Sequence, residues 1–254
     1  MAVTQTTNYS LTKPTAGTNE QVSVQTHLDD NFDKIDQDMN RFDDQIFSAT
    51  SVWNKPARCK RVEVWVQGAG AGSGGIAATG AGQTSLSGGG GGGGYSEKLF
   101  LASTLASSET VTVGVGGAGG AAGANNGVAG GVSSFATGKA YVVTANGGNL
   151  STGGGAGAGS GTVAGGTGGT ASGGDINITG SDGGNGVYSA NIPLGTQYGG
   201  AATLGSSTSV DILGVAQPGE LYGSGASGAF NGASAAAKAG AAGASGVIRV
   251  RNYY

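Results

Sequence analysis

Apolar residues at Leu28, Phe32, Ile35, Met39, Phe42 and Ile46 recur with spacings of 4, 3, 4, 3 and 4, the seam of a heptad helix. Most positions between them are Asp, Asn, Gln, Lys or Arg, as on a solvated outer face. Ahead of the seam, Thr18-Asn19-Glu20-Gln21 fits a capping box, with Thr18 as N-cap and Gln21 at the third helical position. The pattern predicts an N-terminal α-helix of roughly 28 residues, about 42 Å at 1.5 Å per residue. A stripe this narrow needs a partner, either other copies of the chain or the chain's own β domain. Self-association is the reading preferred here. Phe at one a and one d position overfills a two-stranded seam, so a trimeric coiled coil is expected. His27 lies beside the seam with no second ligand at helical spacing, which makes it a surface residue rather than a metal ligand.

After Ser48-Ala49-Thr50-Ser51 the period changes to two. Lys60–Gln67 alternates apolar and polar residues, the mark of a half-buried strand. Tyr95–Leu101, Thr110–Val115, Lys139–Ala145, Asp175–Thr179 and Val247–Val250 are further strand predictions. Val62–Val66 and Val247–Val250 bracket everything between them and could pair to close one domain. Before the helix, residues 1–17 are polar and end in Lys13-Pro14-Thr15-Ala16-Gly17. Pro14 holds Lys13 extended, so this segment reads as an anchoring arm that orders only against a partner. The chain thus divides into an arm over 1–17, a coiled-coil helix over 18–50 and a domain over 52–254.

Composition changes the picture of that domain. Of 56 glycines, 55 lie between Gly68 and Gly246, about four times the usual density. Runs such as Gly88–Gly94, Gly114–Gly120 and Gly153–Gly159 hold almost only Gly, Ala and Ser. Chains without side chains can form threefold polyglycine II-like helices that bond to one another laterally. Glycine's large entropy cost on folding favours many mutually bonded segments over an isolated one. The strands at either side argue for order, and the fold class is mainly β, short strands joined by polyglycine II-like segments. Collagen is excluded, because there is no Gly-X-Y period and only four prolines occur.

Charge and candidate chemistry add mostly exclusions. The net charge of −3 offers no global attraction to nucleic acid. Residues 1–67 carry nine acidic and seven basic groups, whereas 68–246 carries nine charged residues in all. Gly70-Ala-Gly72-Ser-Gly-Gly75 matches a dinucleotide fingerprint, but Ile76–Ser87 has no helical period to follow it. Ser181-Asp182-Gly-Gly-Asn185-Gly is a solitary turn rather than a calcium loop. One histidine and one cysteine, Cys59, leave no nucleophile–base pair. Asp175, Asp182, Asp211 and Glu220 have no spacing that pairs them as glycosidase acids. No catalytic residue, metal or cofactor is expected. No signal peptide or membrane span is expected either, and the chain is read as made in a cytoplasm.

Residues 185–230 set large side chains into this small-residue tract: Tyr188, Ile192, Leu194, Tyr198, Ile212, Leu213, Leu221, Tyr222 and Phe230. Each is either a cap on the core or an exposed contact. Tyrosine among Ser and Gly suits adaptable recognition, so Tyr188, Tyr198, Tyr222 and Phe230 are the candidate receptor contacts.

Trp53-Asn-Lys-Pro56, Arg61-Val-Glu-Val-Trp-Val-Gln-Gly-Ala-Gly70, Gly88–Gly94-Tyr95-Ser96-Glu97, Val111-Thr-Val-Gly-Val-Gly-Gly117 and Gly243-Ala-Ser-Gly-Val-Ile-Arg-Val250 occur in that order. Over about residues 52–252 the chain resembles the glycine-rich domain of many bacteriophage tail fibres. Asn8–Gly17 and His27–Asp36 resemble the leader segments of phage fibre proteins. The resemblance implies a non-enzymatic homotrimeric virion component, made in the host cytoplasm. It would contact other virion proteins through residues 1–20 and present a tip to a host surface glycan or protein. A decoration protein of head, neck or collar is the alternative it leaves.

Overall fold

The computed structural model describes residues 4–5, 12–13, 31–32, 42–195 and 197–254. Its strands are β1 (Thr4–Gln5), β2 (Thr12–Lys13), β3 (Phe42–Phe47), β4 (Ser51–Asn54), β5 (Arg61–Gln67), β6 (Ser85–Leu86), β7 (Tyr95–Leu101), β8 (Ser108–Thr112) and β9 (Ser133–Phe135). They continue with β10 (Val143–Ala145), β11 (Gly161–Val163), β12 (Ala171–Ser172), β13 (Ile176–Ile178), β14 (Gly186–Ser189), β15 (Ile192–Pro193), β16 (Phe230–Asn231) and β17 (Val247–Tyr253). The protein is mainly β. Strands β1 and β2 form a small antiparallel pair of their own.

Two five-stranded antiparallel sheets build the base. One has the order β13-β7-β5-β17-β3 and the other β12-β10-β9-β8-β4. The predicted bracketing pair is its centre: β5 runs antiparallel to β17 with Val66 opposite Ile248 and Val64 opposite Val250. Alternation turns Val62, Val64, Val66, Phe100, Ile248 and Val250 inward, where they meet Trp53, Val111, Phe135 and Val143 of the second sheet. Trp53 is fully buried, stands edge-on to Phe135 at 5.7 Å and donates its indole N–H to the Asn252 side chain at 3.2 Å. Two residues on, Lys55 donates to the Ala102 and Leu105 carbonyls. The Trp-Asn-Lys-Pro motif is therefore a lock between the sheets.

Several predicted elements shift. Residues 42–47 are strand, not the end of a helix, so Phe42 and Ile46 do not belong to a helical seam. Phe47 reaches the core, and β17 pairs with all six residues of β3. A separation of four keeps Phe42 and Ile46 on one side of a strand as well as of a helix, and the pairing with β17 decides between them. Phe32 lies in a short helical stretch, exposed, while Leu28, Ile35 and Met39 lie outside the described residues. Lys139–Ala145 is strand only over its last three residues, because turns closed by Lys139 to Ala136 and Val142 to Lys139 precede them. The strand placed at Thr110–Val115 is Ser108–Thr112, since Gly114 already bonds sideways to Ser133.

Above the sandwich the glycine-rich segments bond laterally with a repeat of three. In segment 68–77, Gly68 and Ala71 donate to Gly94 and Gly91. Ala69, Gly72 and Gly75 donate to Gly131, Val128 and Asn125, and Gly70, Ser73 and Ile76 to Ala244, Ala241 and Lys238. The same segment accepts from Gly117, Gly120 and Gly123, from Gly148 and Gly154, and from Ala226. It thus has six neighbouring segments. Segment 87–94 is surrounded in the same way by 68–77, 146–149, 166–169, 181–184, 197–202 and 223–229. Three residues per repeat is the turn of an extended threefold helix packed side by side with others.

Glycine is required in 88–94 by close approach. A Cβ on Gly91 would lie 2.1 Å from the Thr167 carbonyl oxygen, on Gly92 2.1 Å from that of Ala201, and on Gly93 2.0 Å from that of Gly68. Gln67 joins the two layers. It is fully buried, and its amide donates to the Gly93 and Gly94 carbonyls and accepts from Leu204 N–H.

Substituting inside and outside this lattice should separate sharply. Gly91→Ala is expected to cost at least about 3 kcal/mol in urea unfolding, because the clashing atom is backbone. Gly155→Ala, with nothing within 4 Å of its Cβ, should be neutral or stabilising by up to about 1 kcal/mol.

On edge strand β3, Asp44 meets Arg251 at 2.9 Å and also pairs with Arg249. Arg251 first, then Arg249, hold its carboxyl well below the usual carboxylate range. A lowered folded value means stability that is present above the unfolded pKa of about 3.9 and is lost as pH falls toward the folded one. Wild type should therefore exceed Asp44→Asn in urea midpoint at neutral pH, and the gap should close as the pH is taken below about 3.

Candidate functional site

The chain enters and leaves at the base, where Phe42 lies opposite Tyr253 and Tyr253 opposite Arg61. At the other end of the glycine segments lie the connections 78–86, 122–126, 155–163, 185–195 and 230–239. They form a tip. Strand β6 pairs with β16 there, Leu86 opposite Phe230, and β11, β14 and β15 make a three-stranded sheet. The β14–β15 hairpin turns through Ala190 and Asn191, both with positive φ (50° and 65°), the geometry of a two-residue type I′ turn. Asn191 fastens that turn to its neighbours: its carbonyl accepts from Thr84 Oγ1 at 2.6 Å, and its N–H donates to Gly159.

A second excursion reaches the tip from the flank. Residues 206–222 leave the base, touch Gly199 through Thr208, and rise until Gly214 accepts from Phe230 N–H. The bend at its summit is held by Asp211, whose Oδ1 accepts from Leu213 N–H at 2.9 Å and Val215 N–H at 2.7 Å. Lys238 donates to the carbonyls of Leu213 (2.6 Å) and Phe230 (3.0 Å) and sits 5.8 Å from the Phe230 ring. Burial lowers the ammonium's pKa, and Asp211 nearby opposes that shift. Asp211 and Lys238 are both engaged in holding the bend. What remains outward is apolar: Ile212 is 96% exposed and Leu213 71%, with Ile192 and Leu194 exposed on the hairpin.

The four predicted contact residues are not brought together. Tyr188 is half-buried, with its hydroxyl close over Gly157 and Gly161. Phe230 is half-buried beneath Gly214 and Lys238. Tyr198 stands on the flank beside a cleft of about 710 Å³ lined by Ser181, Asp182, Ala201 and Ser207. Tyr222 is near the base, in a cleft of about 430 Å³ with Glu220, Leu221 and Ala244. Ile212 and Leu213 belong to the same large-residue stretch and are more exposed than any of the four. The usable signal was Asp211 followed by Gly214, a turn that projects what lies between.

Three of the four carboxylates weighed as acids serve backbone, and the fourth, Glu220, lies in the cleft beside Tyr222. Asp175 accepts from Leu99 N–H, Asp182 from Gly168 N–H and Asp211 from its own bend. Buried Glu109 accepts from Ala106 N–H and the Tyr141 hydroxyl, and the latter bond, with burial, raises the tyrosine's pKa. Half-buried Cys59 donates to the Arg61 carbonyl, and burial pushes its thiol up. Among the described residues no cluster of three or more His, Cys, Asp or Glu could hold a metal ion, and no helix is long and apolar enough to cross a membrane.

A sandwich base carrying a laterally bonded glycine lattice defines a glycine-rich structural domain with a loop-built tip. The chain belongs to the glycine-rich domain family, whose model matches residues 46–253. No curated protein matches it in sequence.

Removing the brace at the summit should loosen it alone. Asp211→Ala leaves two N–H groups without their acceptor, worth about 1–2 kcal/mol locally. Limited proteolysis is expected to cut faster at Leu213, with the global unfolding midpoint unchanged.

Proposed function

We propose that this chain is a non-enzymatic bacteriophage virion protein: a homotrimeric tail fibre or receptor-binding component, attached by its N-terminal end and presenting the glycine-rich tip to the host surface. One observation carries the reading. The chain enters at the extreme base beside β17, while the loops that display uncommitted apolar side chains lie beyond the glycine segments at the far end. A body with an attachment end and a display end is what a fibre tip needs. About nine residues of threefold extended chain, at 3.1 Å each, put roughly 28 Å between the two.

The lattice supports the same reading. In the proposal the glycine segments are polyglycine II-type helices, a rigid and chemically blank column. Recognition is left to the loops, through Ile192, Leu194, Ile212 and Leu213, with Tyr188 on the same hairpin as Ile192 and Tyr198 exposed on the flank. The tip's apolar character suits a host surface protein or the less polar face of a glycan. Residues 1–20 contact the rest of the virion.

Fluorescently labelled full-length protein is expected to stain host cells and to compete with intact phage for adsorption. Ile212→Ser combined with Leu213→Ser should fold normally and lose at least about tenfold in cell binding, the scale of a small interface hot spot. Staining equal to wild type would remove the summit from the contact. Failure to stain or compete, with the protein located on capsid or neck by electron microscopy, would sink the receptor-binding role and favour decoration.

A further inference from the structure

The two sheets of the base have opposite outer faces. That of the β4-containing sheet is mostly hydroxyl: Ser108, Thr110 and Thr112 on β8, Ser134 on β9, Thr144 on β10 and Ser172 on β12, with Val52 of β4, beside Thr110 and 52% exposed, as the one large apolar residue its strands turn outward. Thr137 joins them by bonds to Thr112 (2.9 Å) and Ser134 (2.7 Å). It is finished as a surface in water. The outer face of the β5-containing sheet is not. The register sets Ile176 and Ile178 beside Glu97 and Tyr95, Leu99 beside Glu63, Leu101 beside Arg61, and Ile46 and Phe42 at the far edge beside Arg249 and Tyr253. Ile46 is 67% exposed, Leu101 60% and Phe42 51%, with Ile176, Leu99 and Ile178 also exposed. Large apolar residues at six positions of one face, beside a twin face with almost none, mark a surface built to be covered.

From this face we infer that the chain associates with a second copy of itself through the outer side of the β13-β7-β5-β17-β3 sheet. Its charges indicate the occupant. Arg61, Arg249 and Arg251 are matched in number by Asp44, Glu63 and Glu97. Most are already engaged within the face. Asp44 takes both Arg249 and Arg251, Glu63 accepts from the Tyr253 hydroxyl at 2.6 Å, and Glu97 from the Tyr95 hydroxyl at 2.9 Å. Arg249 lies 4.8 Å from the Trp65 ring and Arg251 4.3 Å from that of Phe42. A strongly acidic or basic partner gains nothing from a neutral, internally paired surface, whereas a second copy meets it without like-charge repulsion.

Size agrees. Five strands about 4.8 Å apart, with up to seven residues of about 3.4 Å each, make a face roughly 24 Å on a side. With side-chain relief this approaches the about 800 Å² that each partner gives to a standard interface. Phe42 and Ile46, removed from a helical seam by the structure, are still uncovered apolar residues here.

The inference rests on the oligomeric half of the proposed function and not on host binding. Association through another surface would overturn this face and leave the fibre reading standing. The chain carries two tryptophans; Trp53 is fully buried and Trp65 lies on the face. Full-length protein should therefore self-associate in sedimentation equilibrium at micromolar concentration, while acrylamide quenching of Trp65 falls as concentration rises. Leu99→Lys with Ile176→Lys should weaken association at least about tenfold, 1.4 kcal/mol, and leave quenching independent of concentration. A monomer at all concentrations overturns the inference. So does association unchanged by the double substitution, or quenching already suppressed at every dilution, which would mean that another segment of the same chain covers Trp65. If the double variant does not fold, the concentration dependence of wild-type quenching decides alone.

Discussion

A carbonyl oxygen stands where a side chain would begin. Along 88–94 each glycine faces a neighbour's carbonyl at 2.0–2.6 Å from the place its Cβ would occupy, and that approach lets one segment bond to six others. An isolated run of glycine would lose more conformational entropy on ordering than any other sequence. Here the loss is offset because nearly every N–H of 68–77 and 87–94, and most of their C=O groups, find a backbone partner, sideways, in a repeat of three. A stretch with little apolar surface is thus held by saturation of the backbone rather than by a hydrophobic core. The conventional core is confined to the sandwich, and Gln67 couples the two by closing the carbonyls at the lower end of 87–94.

That constraint distributes chemistry. Inside the lattice Gly, Ala and Ser predominate, with Ile76 at its upper end, so most titratable and large side chains gather at the base, at the tip, along the 206–222 excursion or on outward positions of outer segments, as Asp182 does. Those that are polar are mostly spent on structure: Asp211 and Lys238 brace the summit, Asp44 draws Arg249 and Arg251 together along β17 and β3, and Glu109 ties Tyr141 to the Ala102–Thr104 turn region. What the summit and the outer face of the β5-containing sheet offer outward is therefore largely apolar area.

The sandwich was more legible than the lattice. Period-two alternation in Arg61–Gln67, Tyr95–Leu101 and Val247–Val250 survives because each strand has one face on the core, and the pairing of the first with the last follows from their positions around the tract. The helical seam did not transfer to residues 42–47, because a spacing of four satisfies strand and helix alike and an open edge on β17 supplied the partner. Glycine density also blurred two different roles. Gly88–Gly94 is lattice, but the Gly/Ala run Gly153–Gly159 leaves the lattice after Gly154, and Gly155 and Gly159 face open space. Meanwhile Asn146, Asn149, Thr167 and Thr170, unremarkable in sequence, carry lattice bonds with side-chain pairs laid over them (Asn146 to Thr170, Asn149 to Thr167, both 2.8 Å). Composition says that a lattice can form. It does not say which residues lie inside, since that depends on a register of three set by six neighbours at once.

The same register explains why the tip can be irregular while the column is not. Each segment must present its N–H groups in step with its neighbours, so an insertion within 68–77 or 87–94 would misplace every bond beyond it. The connections 78–86, 122–126, 155–163, 185–195 and 230–239 carry no such requirement, and they differ in length and structure, from a two-residue hairpin turn at Ala190-Asn191 to the short β6–β16 pairing. Lengthening a surface loop costs little, about 0.6 kcal/mol per doubling, whereas a side chain within the column meets backbone that cannot yield. A fold built this way fixes its interior by backbone geometry and leaves its far end free to vary.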